Sequence, residues 1–181
     1  GIDVVAAAGN SGPKMTTIKL PACEPEVIAV GSTETLSYNI WEKSSRGPTV
    51  QGETKPDFVF WGTNIKVASH QADEKYDTKS GTSFSAPMLS GLTGLLWESG
   101  RRAYGEGWLF KWMVAREFAP YFSIKPADVP ASKDNTYGYG IPGVTFMVSG
   151  HPPGASVMEA TAGMAFLSFF ALIAGAIGTA L

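Results

Sequence analysis

The chain opens on a short apolar run, Gly1-Ile2-Asp3-Val4-Val5-Ala6-Ala7-Ala8. Such a run suits a strand buried on both faces of a parallel sheet. It stops at Gly9-Asn10-Ser11-Gly12-Pro13, a cluster of turn-forming residues. A second strand is predicted over Val27-Ile28-Ala29-Val30, between Pro25 and Gly31. Residues 42–56 are polar and loop-like, with Arg46-Gly47-Pro48 at their centre. Two further apolar stretches follow, Phe58-Val59-Phe60-Trp61 and Ile65-Lys66-Val67. From Gly81 to about Glu98 the chain is rich in Leu, Ala and Gly and predicts a buried helix. Pro87 is expected in its first turn, where a missing N–H costs little. A second helix is predicted over Gly107–Phe118, limited by Pro120. Its Trp108, Phe110, Trp112, Met113, Val114 and Phe118 read as core or domain-packing surface. The order is strand, loop, strand, long loop, helix, helix, tail, with no internal repeat. A domain rarely starts inside its central sheet, and the start carries no initiator Met and no signal-peptide pattern. The expectation is therefore one piece of a longer precursor.

The pattern changes toward the C-terminus. Residues 1–148 mix apolar runs with Gly, Pro and Ser. Residues 149–161 form a linker containing Gly150, Pro152, Pro153 and Gly154, all breakers of regular structure. Residues 162–181, AGMAFLSFFALIAGAIGTAL, carry no charge. About 20 apolar residues cross a bilayer as a helix, so this segment is expected to be a transmembrane helix. Ala171, Gly175 and Gly178 would allow close helix contact. No Lys or Arg follows Lys133, so flanking charge gives no orientation.

Composition narrows the classes. Apolar residues make up 44% and charged residues 17% of 181 residues, the balance of a globular domain. The net charge of -2 and a pI near 5.7 leave no electrostatic footprint for nucleic acid. Cys23 is the one cysteine, which excludes an intrachain disulfide; it reads as a small buried hydrophobe.

Two segments carry chemistry. In Ser80-Gly81-Thr82-Ser83-Phe84-Ser85-Ala86-Pro87, a glycine leads into Ser83 at the start of a predicted helix. There a backbone N–H lacks an intrahelical partner, and the helix dipole favours negative charge. A serine so placed can attack a carbonyl and help hold the oxyanion; the plainer alternative is a first-turn or capping serine. In Ala6-Ala7-Ala8-Gly9-Asn10, the Asn ends a strand, where open α/β sheets place functional groups. Its carboxamide can donate to an oxyanion, or it is simply a turn residue.

These residues resemble the subtilases, the subtilisin-like serine peptidases. Gly81-Thr82-Ser83-Phe84-Ser85-Ala86-Pro87 is similar to their nucleophile motif, which implies the nucleophile role for Ser83. Ala7-Ala8-Gly9-Asn10 is similar to their oxyanion motif, which implies that role for Asn10 and a place in the primary substrate pocket for Ala8 and Gly9. Four more landmarks follow in order: Pro25-Glu26-Val27-Ile28-Ala29-Val30-Gly31, Ser44-Ser45-Arg46-Gly47-Pro48, Lys55-Pro56-Asp57 and Tyr137-Gly138-Tyr139-Gly140. The related sedolisins have Asp at the oxyanion position, so Asn10 favours the subtilisin side. The resemblance covers residues 1 to about 148. It implies a three-layer α/β fold with a mostly parallel sheet, present here in part. Calcium, frequent in this family, could involve Asp73, Glu74 and Asp77, although a solvated loop is the plainer reading of those acids.

The chain also departs from the family pattern. Phe60-Trp61-Gly62 stands where the family has Ala-Pro-Gly, Ile141-Pro142-Gly143 follows the second glycine landmark, and Lys79 occupies a position that is often Leu, Met or Asn. The family's triad Asp and His precede the oxyanion motif, so they are expected upstream of Gly1. Neither His70, in a polar loop, nor His151, in the linker, has the family's histidine context. A serine hydroxyl without a base is a weak nucleophile. The expectation is a serine endopeptidase acting on proteins or peptides, tethered to a membrane with its protease domain on the extracytoplasmic side and inactive as this fragment alone. The alternative is a non-catalytic, membrane-anchored binding module on the same scaffold.

Overall fold

The computed structural model describes residues 2–35, 37–104 and 123–142, with side chains of the long helix described as far as Leu95. Strands β1 (Val5–Ala7), β2 (Ile28–Thr33) and β3 (Phe58–Trp61) form a parallel sheet in that order. The central strand β2 is buried along its whole length, because it has neighbours on both edges. Its β-branched and small residues suit that setting. Gly31 fits tightly there: a Cβ would lie 3.0 Å from both Ser44 Oγ and Val59 Cγ1.

The first strand corrects an expectation. It spans three residues and is half-buried, not buried on both faces. Among the described residues it pairs on one side only, with β2, and Ile2 and Val4 before it are exposed. Behind β1 and β2, Ala8, Ile18, Ala22 and Ala29 form a small-residue core against which Ala6 and the half-buried Cys23 pack.

A charged group lies under the sheet. Lys55 is 2% exposed, and its ammonium donates to Val27 O and to Asp57 Oδ2, each at 2.6 Å. Asp57 Oδ2 also accepts the Ala29 N–H at 2.8 Å, and Oδ1 accepts from Lys133 Nζ at 2.7 Å. The sequence 137–140 closes the same corner. Tyr139 N donates to Asp57 O and Val59 N donates to Gly140 O, which lays this segment beside the start of β3. Gly138 has φ +59, and a Cβ there would collide with the backbone of Pro56 and Asp57. Just beyond it, β7 (Ile141–Pro142) pairs antiparallel with β6 (Ser123–Ile124).

After β3 the chain makes an antiparallel hairpin of β4 (Ile65–Ala68) and β5 (Tyr76–Lys79). The sequence reading found the apolar part of β4 but not β5. Tyr76-Asp77-Thr78-Lys79 offers no apolar run, because the strand lies mostly exposed. The hairpin delivers the chain to α1 (Thr82–Tyr104).

That helix corrects two expectations. Pro87 is its sixth residue, in the second turn, so the missing N–H deprives the Ser83 carbonyl of its i+4 donor. The helix is also not buried all round. Ser85, Leu89 and Leu92 are buried, a stripe at i, i+4 and i+7, whereas Ser83, Ser90, Gly91, Gly94 and Leu95 are exposed. The predicted helix over 107–118, the linker 149–161 and the segment 162–181 lie outside the described residues. Among the described residues no helix is long and apolar enough to cross a membrane.

Candidate active site

The α1 N-terminus meets the loop that follows β1. Thr82 N–H donates to Asn10 Oδ1 at 3.0 Å, and the Thr82 hydroxyl donates to the same oxygen at 3.0 Å. The hydroxyl in turn accepts the Gly9 N–H at 3.2 Å. This network fixes the orientation of the Asn10 carboxamide. A backbone N–H can only donate, so the atom facing it must be the oxygen. Nδ2 is then turned the other way, and it makes no hydrogen bond among the described residues.

Ser83 follows Thr82 directly and is exposed at the first turn of α1. Its backbone N–H is among those with no intrahelical acceptor. A methyl built on Gly81 would lie 3.4 Å from Asn10 Nδ2 and 3.8 Å from both Asn10 Oδ1 and Ser83 N, so the carboxamide and the Ser83 N–H are close neighbours across Gly81. No acidic side chain occupies the first turn of α1 to oppose an anion there.

Three loops hold this arrangement in place. Ser45, fully buried, donates its N–H to Gly9 O at 2.8 Å and accepts the Ser11 N–H on its Oγ at 3.1 Å. Gly12 N donates to Lys43 O, and Thr17 N to Arg46 O. Gly9 has φ +112, and a Cβ would approach Ser45 Oγ to 2.8 Å, so both conformation and space require glycine. Ser44, also buried, accepts the Ser32 N–H on its Oγ at 3.0 Å and ties the same loop to β2. On the other side, Gly81 N donates to Gly62 O at 2.7 Å, and Ser80 Oγ accepts the Asn64 N–H at 2.9 Å. At the Phe60-Trp61 departure the chain is still in β3, with Trp61 in register with Thr33, while Ser85 Oγ donates to Phe60 O at 3.1 Å. Trp61 Nε1 and Thr33 Oγ1 are both buried without a hydrogen-bond partner among the described residues.

The structure thus brings Asn10, Gly9 and Ser83 to one place. Ala8 belongs to the same loop, but its side chain is 2% exposed and spent in the core, so what it can offer a substrate is backbone. His70 is exposed in the bend between β4 and β5, and His151 lies outside the described residues. Lys79 is 3.8 Å from Asp77 at the end of β5. Among the described residues no three His, Cys, Asp or Glu side chains converge to hold a metal ion. Asp73, Glu74 and Asp77 do not form such a cluster. Sequence reasoning passed over Thr82 as a functional side chain, and it noted Ser44 and Ser45 without seeing that they brace the Asn10 loop. The signal for both was their place inside the two recognised motifs.

The family model of the subtilases matches residues 1–140. The chain belongs to the subtilase family. Among curated relatives, this subtilase is 38% identical over 114 residues to serine protease AprX of Bacillus subtilis, an alignment covering 53% of the chain and 26% of AprX. It is 29% identical over 154 residues to the membrane-bound transcription factor site-1 protease of Mus musculus, covering 82% of the chain and 12% of that protein. Among solved structures, the CspB protease of Clostridium perfringens superposes with a TM-score of 0.63 at 29% identity, over 75% of this chain and 29% of that one. Sphericase superposes with a TM-score of 0.61 at 26% identity, over 76% of this chain and 46% of that one. The subtilase fold is therefore shared, and the chain spans about a quarter or less of the length of these two curated relatives.

Proposed function

We propose that this subtilase chain is the nucleophile-bearing part of a serine endopeptidase that hydrolyses peptide bonds in proteins or peptides. The observation that carries the reading is the Asn10 carboxamide, pinned by Thr82 beside the N-terminus of α1 where Ser83 sits. A peptide carbonyl oxygen brought between the Asn10 carboxamide and the Ser83 N–H would accept from both donors. Attack by Ser83 Oγ forms the C–O bond and moves the carbonyl π pair onto oxygen, where the two donors hold it. The Ser83 proton passes to a general-base histidine and then to the leaving amine as the C–N bond breaks, leaving an acyl-enzyme for water to hydrolyse. This reading assigns the histidine and its orienting carboxylate to a part of the protein outside residues 1–181. Ala8 and Gly9 contribute backbone to the primary pocket.

The proposal includes the domain order. Residues 1–148 are the C-terminal portion of the catalytic domain, 149–161 a linker and 162–181 a membrane-spanning helix. The uncharged composition of that last segment supports the anchor, and the habit of the family supports an extracytoplasmic protease domain. The test is Ser83→Ala in the full-length protein, assayed on an unfolded protein substrate. Turnover falls to background. Retained turnover overturns the nucleophile assignment and favours a non-catalytic binding module on the same scaffold.

A further inference from the structure

We infer that the loop 125–134 is a site for a monovalent cation, and that the ammonium of Lys125 is the cation occupying it. Lys125 Nζ donates to Pro130 O at 3.0 Å, to Ser132 O at 2.6 Å and to Asp134 Oδ2 at 2.5 Å. An ammonium has three N–H donors and no acceptor, so these oxygens satisfy it completely. The lysine side chain is 6% exposed, so the loop closes around it. The acceptors fall at alternate positions, 130, 132 and 134, and two of them are backbone carbonyls. A surface ion pair needs the carboxylate alone. Carbonyl and carboxylate oxygens converging on one point are the donor set of a hard cation.

Charge selects the kind of cation. The three oxygens carry one formal negative charge, on Asp134, and a single positive charge cancels it. Calcium takes about 6–8 oxygen ligands, which this set does not supply. The loop's other lysine is committed elsewhere, with Lys133 Nζ donating to Asp57 Oδ1 at 2.7 Å. The second oxygen of Asp134 is also in use, since Oδ1 accepts the N–H groups of Thr136 and Tyr137, each at 2.7 Å. One carboxylate therefore joins the cation to the turn that leads into Gly138 and Gly140. The stem of Lys125 lies against Gly140, where a Cβ would come to 2.8 Å from Lys125 Cγ. Gly140 O in turn accepts the Val59 N–H of β3. The filled site thus orders the segment beside β3 with a cation that the chain itself supplies.

None of these residues takes part in the proposed catalysis, so the test reads stability, in the full-length protein carrying Ser83→Ala to prevent self-digestion. Lys125→Ala removes the outline of one n-propylammonium ion. It lowers the thermal midpoint by about 4 °C or more. Added n-propylammonium chloride, at a concentration that leaves the Lys125 protein unchanged, restores about half of that loss or more, by binding the folded form. Tetramethylammonium chloride at the same concentration, a cation with no N–H to donate, restores nothing. Lys125→Met fills the space of the stem without the charge, so it loses stability and n-propylammonium does not rescue it. A rescue of Lys125→Ala no larger than with tetramethylammonium, or an equal rescue of Lys125→Met, overturns the inference. Rescue by calcium chloride and not by n-propylammonium overturns the monovalent assignment. If Lys125→Ala does not fold, the Lys125 protein is acetylated under native conditions and its lysines are read by mass spectrometry. Lys125 then reacts about 10-fold or more slowly than the exposed Lys66, because it must first leave the loop. Equal rates at the two lysines overturn the inference.

Discussion

At Asp57, three donors share two carboxylate oxygens: Lys55 Nζ and Ala29 N on one, and Lys133 Nζ on the other. Lys55 is the deeper partner, with a side chain 2% exposed, and its remaining contact is a backbone carbonyl. Burying an ammonium is tolerable only while its counter-charge is present. Asp57→Ala should therefore destabilise the fold by about 3–5 kcal/mol, because it leaves Lys55 charged and unpaired. Lys133→Ala should cost much less, since that lysine is partly solvated and leaves Asp57 paired with Lys55. Urea midpoints of the two variants measure the difference, and equal losses would contradict this account.

Within α1, the buried stripe of Ser85, Leu89 and Leu92 leaves Gly91 and Gly94 on another face, with no atom of the described residues within 4 Å of a Cβ built on either. Glycine in a helix interior costs about 0.5–1 kcal/mol relative to alanine. Gly91→Ala and Gly94→Ala should each raise stability by about that amount, read as an increased thermal midpoint. A loss instead would show that another surface packs against this face. The helix also illustrates what the sequence could and could not tell. Its existence was plain from a long stretch rich in Leu, Ala and Gly. Its burial was overestimated because small residues look the same facing a core or facing solvent. Strands β2 and β3 were legible as apolar runs, while β5 was not, because Tyr76-Asp77-Thr78-Lys79 pairs through its backbone and leaves its side chains mostly exposed. At the site, Asn10 and Ser83 could be read from their motifs. The hydrogen bonds joining their neighbours could not, because they link loops far apart in the chain.

For the protein as a whole, the proposed anchor gives a separate prediction. Deleting residues 162–181 from the full-length protein should move it from a membrane pellet that resists alkaline carbonate into the soluble fraction, with hydrolysis of peptide substrates retained. Persistence in the pellet would place the anchor elsewhere. The contact between Asn10 and Thr82 has a consequence in time. The two residues are separated by 72 positions. A ribosome adding roughly 5–20 residues per second needs about 4–14 s between them. Throughout that interval the carboxamide of the nascent chain has nothing to hold it, and Ser83 does not yet exist. Thr82 and Ser83 are adjacent, so the residue that holds the carboxamide and the proposed nucleophile emerge together, before residues 123–142 are added to the scaffold.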